Sequence, residues 1–185
     1  MNCPGILRFR IPFVACFALI VVSMAIAQSS SETKEAKISR ALSAAPENVS
    51  KNAKVIDRDD NGAETVLREG TNGFTCFAGH PGVVGDAPYC ANQPALRWEK
   101  DLMILRPKPT NTEPGIVYML QGGTDWSASD PNATSGTPIK EPPHWMILWP
   151  FDPQTSGFST EAKQTGTWIM WAGTPWAHLM INQKP

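Results

Sequence analysis

Proline density sets the first limit on this fold. The chain carries 17 prolines in 185 residues, and 15 of them follow Pro4 and Pro12. Each proline fixes φ and withholds a backbone donor, so it ends helices and interrupts strand ladders. Loops and short strands must therefore dominate, and few long helices are possible. Seven tryptophans and the four phenylalanines that follow Phe17 supply apolar bulk for a core. No internal repeat is visible.

The N-terminus has three parts. Arg8 and Arg10 are the first charges, an apolar stretch runs from Ile11 to Ala27, and Ala25-Ile26-Ala27 precedes Gln28 and three serines. A positive start, an apolar middle and a small-x-small end are the parts of a secretory signal. The rival reading is a permanent anchor, but the unbroken core from Phe13 to Val22 is short against the about 20 residues of a bilayer span. The strongest apolar run follows Cys16, which argues against a lipoprotein. The expected organisation is a signal peptide over 1–27, a polar tether over 28–37 and one domain over 38–185, with no stable membrane insertion after cleavage. Cleavage after Ala27 leaves 158 residues, 14 basic side chains against 17 acidic ones, and a net charge near −3. No Lys/Arg run remains, which argues against nucleic acid as a partner. The expected address is periplasmic or secreted.

Two cysteines remain, Cys76 and Cys90. In an oxidising compartment such a pair forms a bridge by default, and thirteen intervening residues do not match a Cys-x-x-Cys redox or metal motif. The bracketed segment Gly79–Pro88 is rich in Gly and Pro and reads as loop.

The spacing of Ile38, Ala41, Leu42 and Ala45 predicts a helix from about Glu35 to Ala45, stopped by Pro46. Asp59-Asp60-Asn61-Gly62 predicts a hairpin, and a two-residue turn there sets Ile56 opposite Leu67. Phe74–Phe77 continues as a third strand. Pro94 suits a first helical turn, and Ala95, Trp98, Leu102 and Leu105 form one stripe of a helix ending at Arg106. Gly115–Leu120, Trp145–Trp149, Thr167–Ala172 and Ala177–Ile181 are apolar on both alternations, as in strands covered on both faces. The expected fold class is α+β: a small, mainly antiparallel sheet with one or two packed helices and long Pro/Gly-rich loops.

Thr71-Asn72-Gly73-Phe74-Thr75-Cys76, Tyr118-Met119-Leu120-Gln121-Gly122-Gly123, Pro143-His144-Trp145-Met146 and Met170–Met180 together resemble a family of short exported bacterial proteins. The resemblance runs from about Ile38 to Ile181. It implies a bacterial, extracytoplasmic protein and carries no assigned activity. The Asp125–Asp130 segment and the tail after Ile181 depart from the pattern.

Three constellations could carry chemistry. His144-Trp145-Met146 and His178-Leu179-Met180 are His-x-Met units in expected strands, where residues i and i+2 share a face. On neighbouring strands His144, Met146, His178 and Met180 would converge. Imidazole with thioether suits copper, especially Cu(I). The bland reading is methionine as core filler and histidine bonded to backbone. Next, Asp125, Ser127 and Ser129 alternate like the opening of a calcium loop. Asp130 then stands where glycine is needed and Gly136 where a bidentate Glu is needed, so an ordinary capped loop competes. Last, His144 or His178 could act as a general base with Asp125 near Gln121, although no Gly-x-Ser-x-Gly elbow is present. His80 reads as exposed and unspecific. Trp145, Trp149, Trp168 and Trp171 read as core, whereas Trp126 and Trp176 are better placed to meet a ligand.

These features suggest a small exported binding or accessory protein. Its polar site lies near His144 and His178 and is completed by Gln121, Asp125, Trp126, Asp130 and Trp176. A hydrolase-like enzyme and a structural envelope protein are the alternatives. An enzyme needs a His–Asp pair in hydrogen-bond reach, whereas a metal protein needs imidazoles and thioethers on one point.

Overall fold

The computed structural model describes residues 32–183. The signal peptide read over 1–27 lies outside them. Among the described residues no helix is long and apolar enough to cross a membrane.

Helix α1 (Lys34–Leu42) starts inside the segment read as tether, because Thr33 Oγ1 accepts the Ala36 N–H at 3.2 Å and caps it. It stops at Ser43, before Ala45, and the short helix α2 (Glu47–Ser50) follows Pro46. Strands β1 (Lys54–Arg58) and β2 (Glu64–Arg68) form the expected hairpin, with a different turn. Asp59 O accepts from Gly62 N at 2.8 Å, Ala63 O accepts from Asp59 N at 3.0 Å, and Gly62 sits at φ 79°. The connection is thus a three-residue loop ending in a left-handed glycine. It sets Ile56 opposite Val66 instead of Leu67, and a bulge after Val55 then restores Val55 opposite Arg68.

Strand β3 (Phe74–Phe77) runs parallel to β1, and β4 (Tyr89–Asn92) pairs antiparallel to β3. Cys76 lies directly opposite Cys90 in that pair, and the expected disulfide is present. Asn92 then does two jobs. Its Oδ1 caps helix α3 (Gln93–Met103) by accepting from Ala95 N at 3.1 Å, and it accepts from Ile116 N at 2.9 Å. The second bond ties the helix start to β5 (Gly115–Met119). At Gly115 an added Cβ would lie 2.7 Å from the Ala95 Cα, so a glycine is what lets α3 approach the sheet this closely.

Helix α3 ends short of Arg106. Leu105 takes a left-handed φ of 54°, Leu105 N bonds Leu102 O at 2.9 Å, and Arg106 N bonds Asp101 O at 2.9 Å. These are the bonds of a Schellman turn, in which Leu105 holds the position that glycine usually takes. Leu105 therefore leaves the apolar stripe and is 76% exposed.

The ribbon β6 (Gly123–Asp125) and β7 (Ile139–Glu141) stands apart from the main sheet. Strands β8 (His144–Leu148), β9 (Gly166–Met170) and β10 (His178–Asn182) complete the eight-stranded sheet, and helix α4 (Pro153–Ser156) lies between β8 and β9 in sequence. The order is β2-β1-β3-β4-β5-β8-β10-β9, antiparallel except at β1–β3. This is a mainly antiparallel α+β fold. One sheet face buries Ala91, Val117, Leu148, Trp168, Met170 and Met180 against Trp98 of α3. The opposite face buries Val55, Cys76 and Cys90 under α1, and Ile169 and Leu179 beside Phe151 and Phe158. Both faces are covered, which explains the continuous apolar runs of β5, β8 and β10.

Candidate ligand-binding site

Strands β8 and β10 are antiparallel neighbours. Met146 faces Met180, while His144 faces Asn182. His178 faces Met170 of β9, at the other end of β10. Alternation puts all four side chains of the two His-x-Met units on the α3 side of the sheet. They do not gather at one point. His178 and Asn182 are four residues apart on β10, roughly 13 Å of strand, so the two imidazoles occupy opposite ends of the pair. Among the described residues no three His, Cys, Asp or Glu side chains are grouped to hold a metal ion.

Both histidines are buried, and both bond backbone two residues back. His144 Nδ1 donates to Pro142 O at 2.8 Å, and His178 Nδ1 donates to Trp176 O at 3.0 Å. A carbonyl can only accept, so each ring carries its proton on Nδ1 and keeps its lone pair on Nε2. Burial lowers the pKa of both, and pushes His178 from 6.5 down to about 4. Both rings are thus neutral at neutral pH.

A pocket of about 190 Å³ opens between α3, the sheet and the β6–β7 ribbon. His178, Met146 and Asp125 line it, as do Met119, Met170, Trp98 and Trp171. Its charge is one-sided. Glu99, Asp125 and Glu141 line it, and among the described residues no Lys or Arg does. Glu99 is matched from outside: Arg58 Nη1 donates to its Oε1 at 3.0 Å, and Tyr89 Oη donates to the same oxygen at 2.5 Å. Asp125 and Glu141 have no such cation. Asp125 Oδ1 accepts the Ser127 N–H at 3.3 Å, and burial raises its pKa against the opposing pull of the Ser127 and Trp126 amides.

Glu141 is 92% buried, by the complement of its 8% exposure. Burial first, and then the charge of Asp125, raise its carboxyl from 4.5 to about 7. Its Oε2 lies 4.0 Å from His144 Nε2, beyond hydrogen-bond reach. Its Oε1 has no partner among the described residues, nor have His144 Nε2 and Trp98 Nε1. Buried polar atoms are normally bonded, so three orphans at or beside one pocket mark it out. Ala87, Thr124 and Glu141 also line a wider groove that runs past His80, Gln121 and Pro143.

The other expected site residues lie elsewhere. Met180 is fully buried beneath the sheet face and does not line the pocket. Gln121 is exposed and donates from Nε2 to Ser43 O at 3.0 Å. Asp130 is exposed, with Oδ1 accepting the Asn132 N–H at 2.9 Å, and Ser127 Oγ accepts the Ser129 and Asp130 N–H groups. These oxygens cap their own loop and do not converge as calcium ligands would. Trp126 is half-buried and outside the pocket lining. Trp176 is core, edge-on to Trp98 at 5.1 Å. Trp171, read as core, lines the pocket and donates from Nε1 to Ser127 O at 2.9 Å, anchoring the Asp125 loop. Neither His144 nor His178 bonds Asp125 among the described residues; the His–Asp pair that does form is His80 Nδ1 with Asp86 Oδ2, at 2.5 Å on the Gly79–Pro88 loop.

Comparison with known proteins finds no matching family model, no matching curated protein and no matching solved structure. The functional reading therefore rests on the chemistry of the site.

Proposed function

We propose that this protein is an exported binding protein that takes one small ligand into the pocket under α3. Glu141 and Trp98 both line the pocket and each holds a buried polar atom without a partner, Oε1 and Nε1, and this carries the reading. Each loses hydrogen-bond energy that an occupant would restore. Export is supported by the N-terminal pattern over 1–27 and by the resemblance to short exported bacterial proteins. The Cys76–Cys90 bridge is compatible with an oxidising compartment.

Trp98 and Trp171 line the pocket, so their fluorescence reports occupancy. Titration with a panel of cationic, neutral and anionic small molecules should show saturable quenching by at least one. Ala87→Phe, which narrows the side shared with the outer groove, should abolish that response while leaving the unfolding temperature within a few degrees. Equal binding by the variant would sink the reading.

Copper(I) is a second reading with its own support. Met119, Met146 and Met170 present thioethers to the same pocket as His178, whose Nε2 lone pair is free of its backbone bond. Soft sulfur with neutral imidazole suits Cu(I). Anaerobic Cu(I) titration should then show tight binding that His144→Ala with His178→Ala weakens. Unchanged affinity in the double variant ends the copper reading.

A further inference from the structure

We propose that the pocket, if it is the ligand site read above, selects a small organic ammonium cation bearing one hydrogen-bond-accepting oxygen. The sign follows from the lining. Asp125 and Glu141 face the cavity with no cation to match them, whereas Glu99 has Arg58. An ammonium group would supply the missing charge, and an anion would meet two like charges. The orphaned Glu141 Oε1 gives that group an acceptor, or a carboxylate to lie against when the nitrogen is fully methylated. The orphaned Trp98 Nε1 is a donor only, so it asks for an oxygen on the ligand.

Shape agrees with charge. Trp98 and Trp171, parallel at 5.9 Å, both line the pocket, and tryptophan attracts positive charge best among the aromatics. Met119 and Met146 offer polarizable contact to methyl or methylene groups. The 190 Å³ volume slightly exceeds the about 150 Å³ cavity that holds a benzene ring, so a ligand of roughly six to ten non-hydrogen atoms fits. Burial raises both carboxyls in the empty site, and an entering cation would reverse that.

Calorimetric titration of the purified chain tests this with choline, tetramethylammonium, and dimethylbutanol, the neutral carbon isostere of choline. Choline should bind, and the isostere should bind at least tenfold more weakly. Glu141→Gln and Asp125→Asn should each weaken choline at least tenfold. Trp98→Phe keeps an aromatic face but loses the N–H, so it should bring choline down toward tetramethylammonium and leave tetramethylammonium unchanged. This third variant keeps the test sound if a carboxylate variant fails to fold. Equal affinity for choline and its isostere, or choline binding indifferent to both carboxylate variants, would overturn the cation proposal while leaving the pocket as a ligand site. Binding of Cu(I) alone overturns it in favour of the metal reading. No response to any probe or panel member overturns both the proposal and the ligand site beneath it.

Discussion

Replacing Glu141 by Gln removes a buried charge whose effect on stability can be worked through. In the folded chain this carboxyl holds its proton up to about pH 7, against 4.5 ordinarily. Between those values the folded state binds more protons than the unfolded state, so stability falls as pH rises. A span of about 2.5 pH units at about 1.4 kcal/mol each gives a loss on the order of 3 kcal/mol, complete above pH 7. His178 works in the opposite sense. It stays neutral down to about 4 against 6.5 ordinarily, so its contribution is full above pH 6.5 and lost as pH falls through 4, again on the order of 3 kcal/mol. Between pH 4.5 and 6.5 the two slopes cancel, and the wild-type chain should show a flat stability profile. His144 and Asp125 add to the same two limbs, since burial lowers the one and raises the other. In Glu141→Gln the Glu141 part of the falling limb is gone and only the Asp125 part remains. Urea unfolding across pH 4 to 8, at constant m, should show the variant gaining about 3 kcal/mol relative to wild type between pH 4.5 and 7. At pH 8 the net advantage is smaller, because a buried amide without partners costs about 1–3 kcal/mol. Parallel stability curves for the two proteins would show that Glu141 is not a buried, uncompensated acid.

Other substitutions probe the frame around the pocket. Cys76→Ser with Cys90→Ser opens a loop spanning a sequence separation of 14 and should cost about 3 kcal/mol, read as a lower urea midpoint that reductant no longer changes. Leu105→Gly relieves a left-handed φ at an exposed side chain and should raise stability by about 1 kcal/mol; a loss would mean that the leucine makes a contact worth more than its strain. Gly115→Ala drives a Cβ to 2.7 Å from Ala95 Cα and should cost about 1–3 kcal/mol by pushing α3 off β5, with an unchanged midpoint as the refuting result.

The strands and α3 were legible because period and punctuation agreed. β5, β8, β9 and β10 each lie within one residue of the expected start, since apolar runs bounded by Gly and Pro leave little freedom. Boundaries failed where the backbone chose a turn that composition does not announce. The loop after β1 takes three residues where Asn-Gly favours two, and Leu105 fills a glycine position, which no helical stripe would suggest. Strand β4 was hidden, because Tyr89-Cys90-Ala91-Asn92 is short and follows a Pro-rich loop. The site was half legible. His178, Met146 and Asp125 do meet at one pocket, but Glu141 sits in Lys140-Glu141-Pro142-Pro143, where a carboxylate next to prolines reads as an exposed loop. Only the β6–β7 pairing, which puts Glu141 opposite Gly123, turns it inward with Asp125.

Strand register explains why the His-x-Met units form no cluster. An antiparallel pair could gather the histidines if His144 lay opposite His178 or Met180, but His144 lies opposite Asn182. β8 and β10 are antiparallel, so placing Met146 opposite Met180 forces His144 and His178 to opposite ends. The repeated motif therefore yields a shared thioether pair at the middle of the sheet face and two different histidine environments. His178 reaches the pocket, where Met119, Met146 and Met170 also lie. His144 is left beside Glu141, neither ring nitrogen bonding the carboxylate. A buried acid and a buried base, close yet unbonded, each keep the neutral form at a cost that packing alone does not recover. Folded chains tolerate such groups where function needs them. On the ligand reading proposed above, the ribbon that carries Asp125 and Glu141 to this face is the element most directly tied to the pocket, and its carboxylates are the residues whose removal tests that reading most sharply.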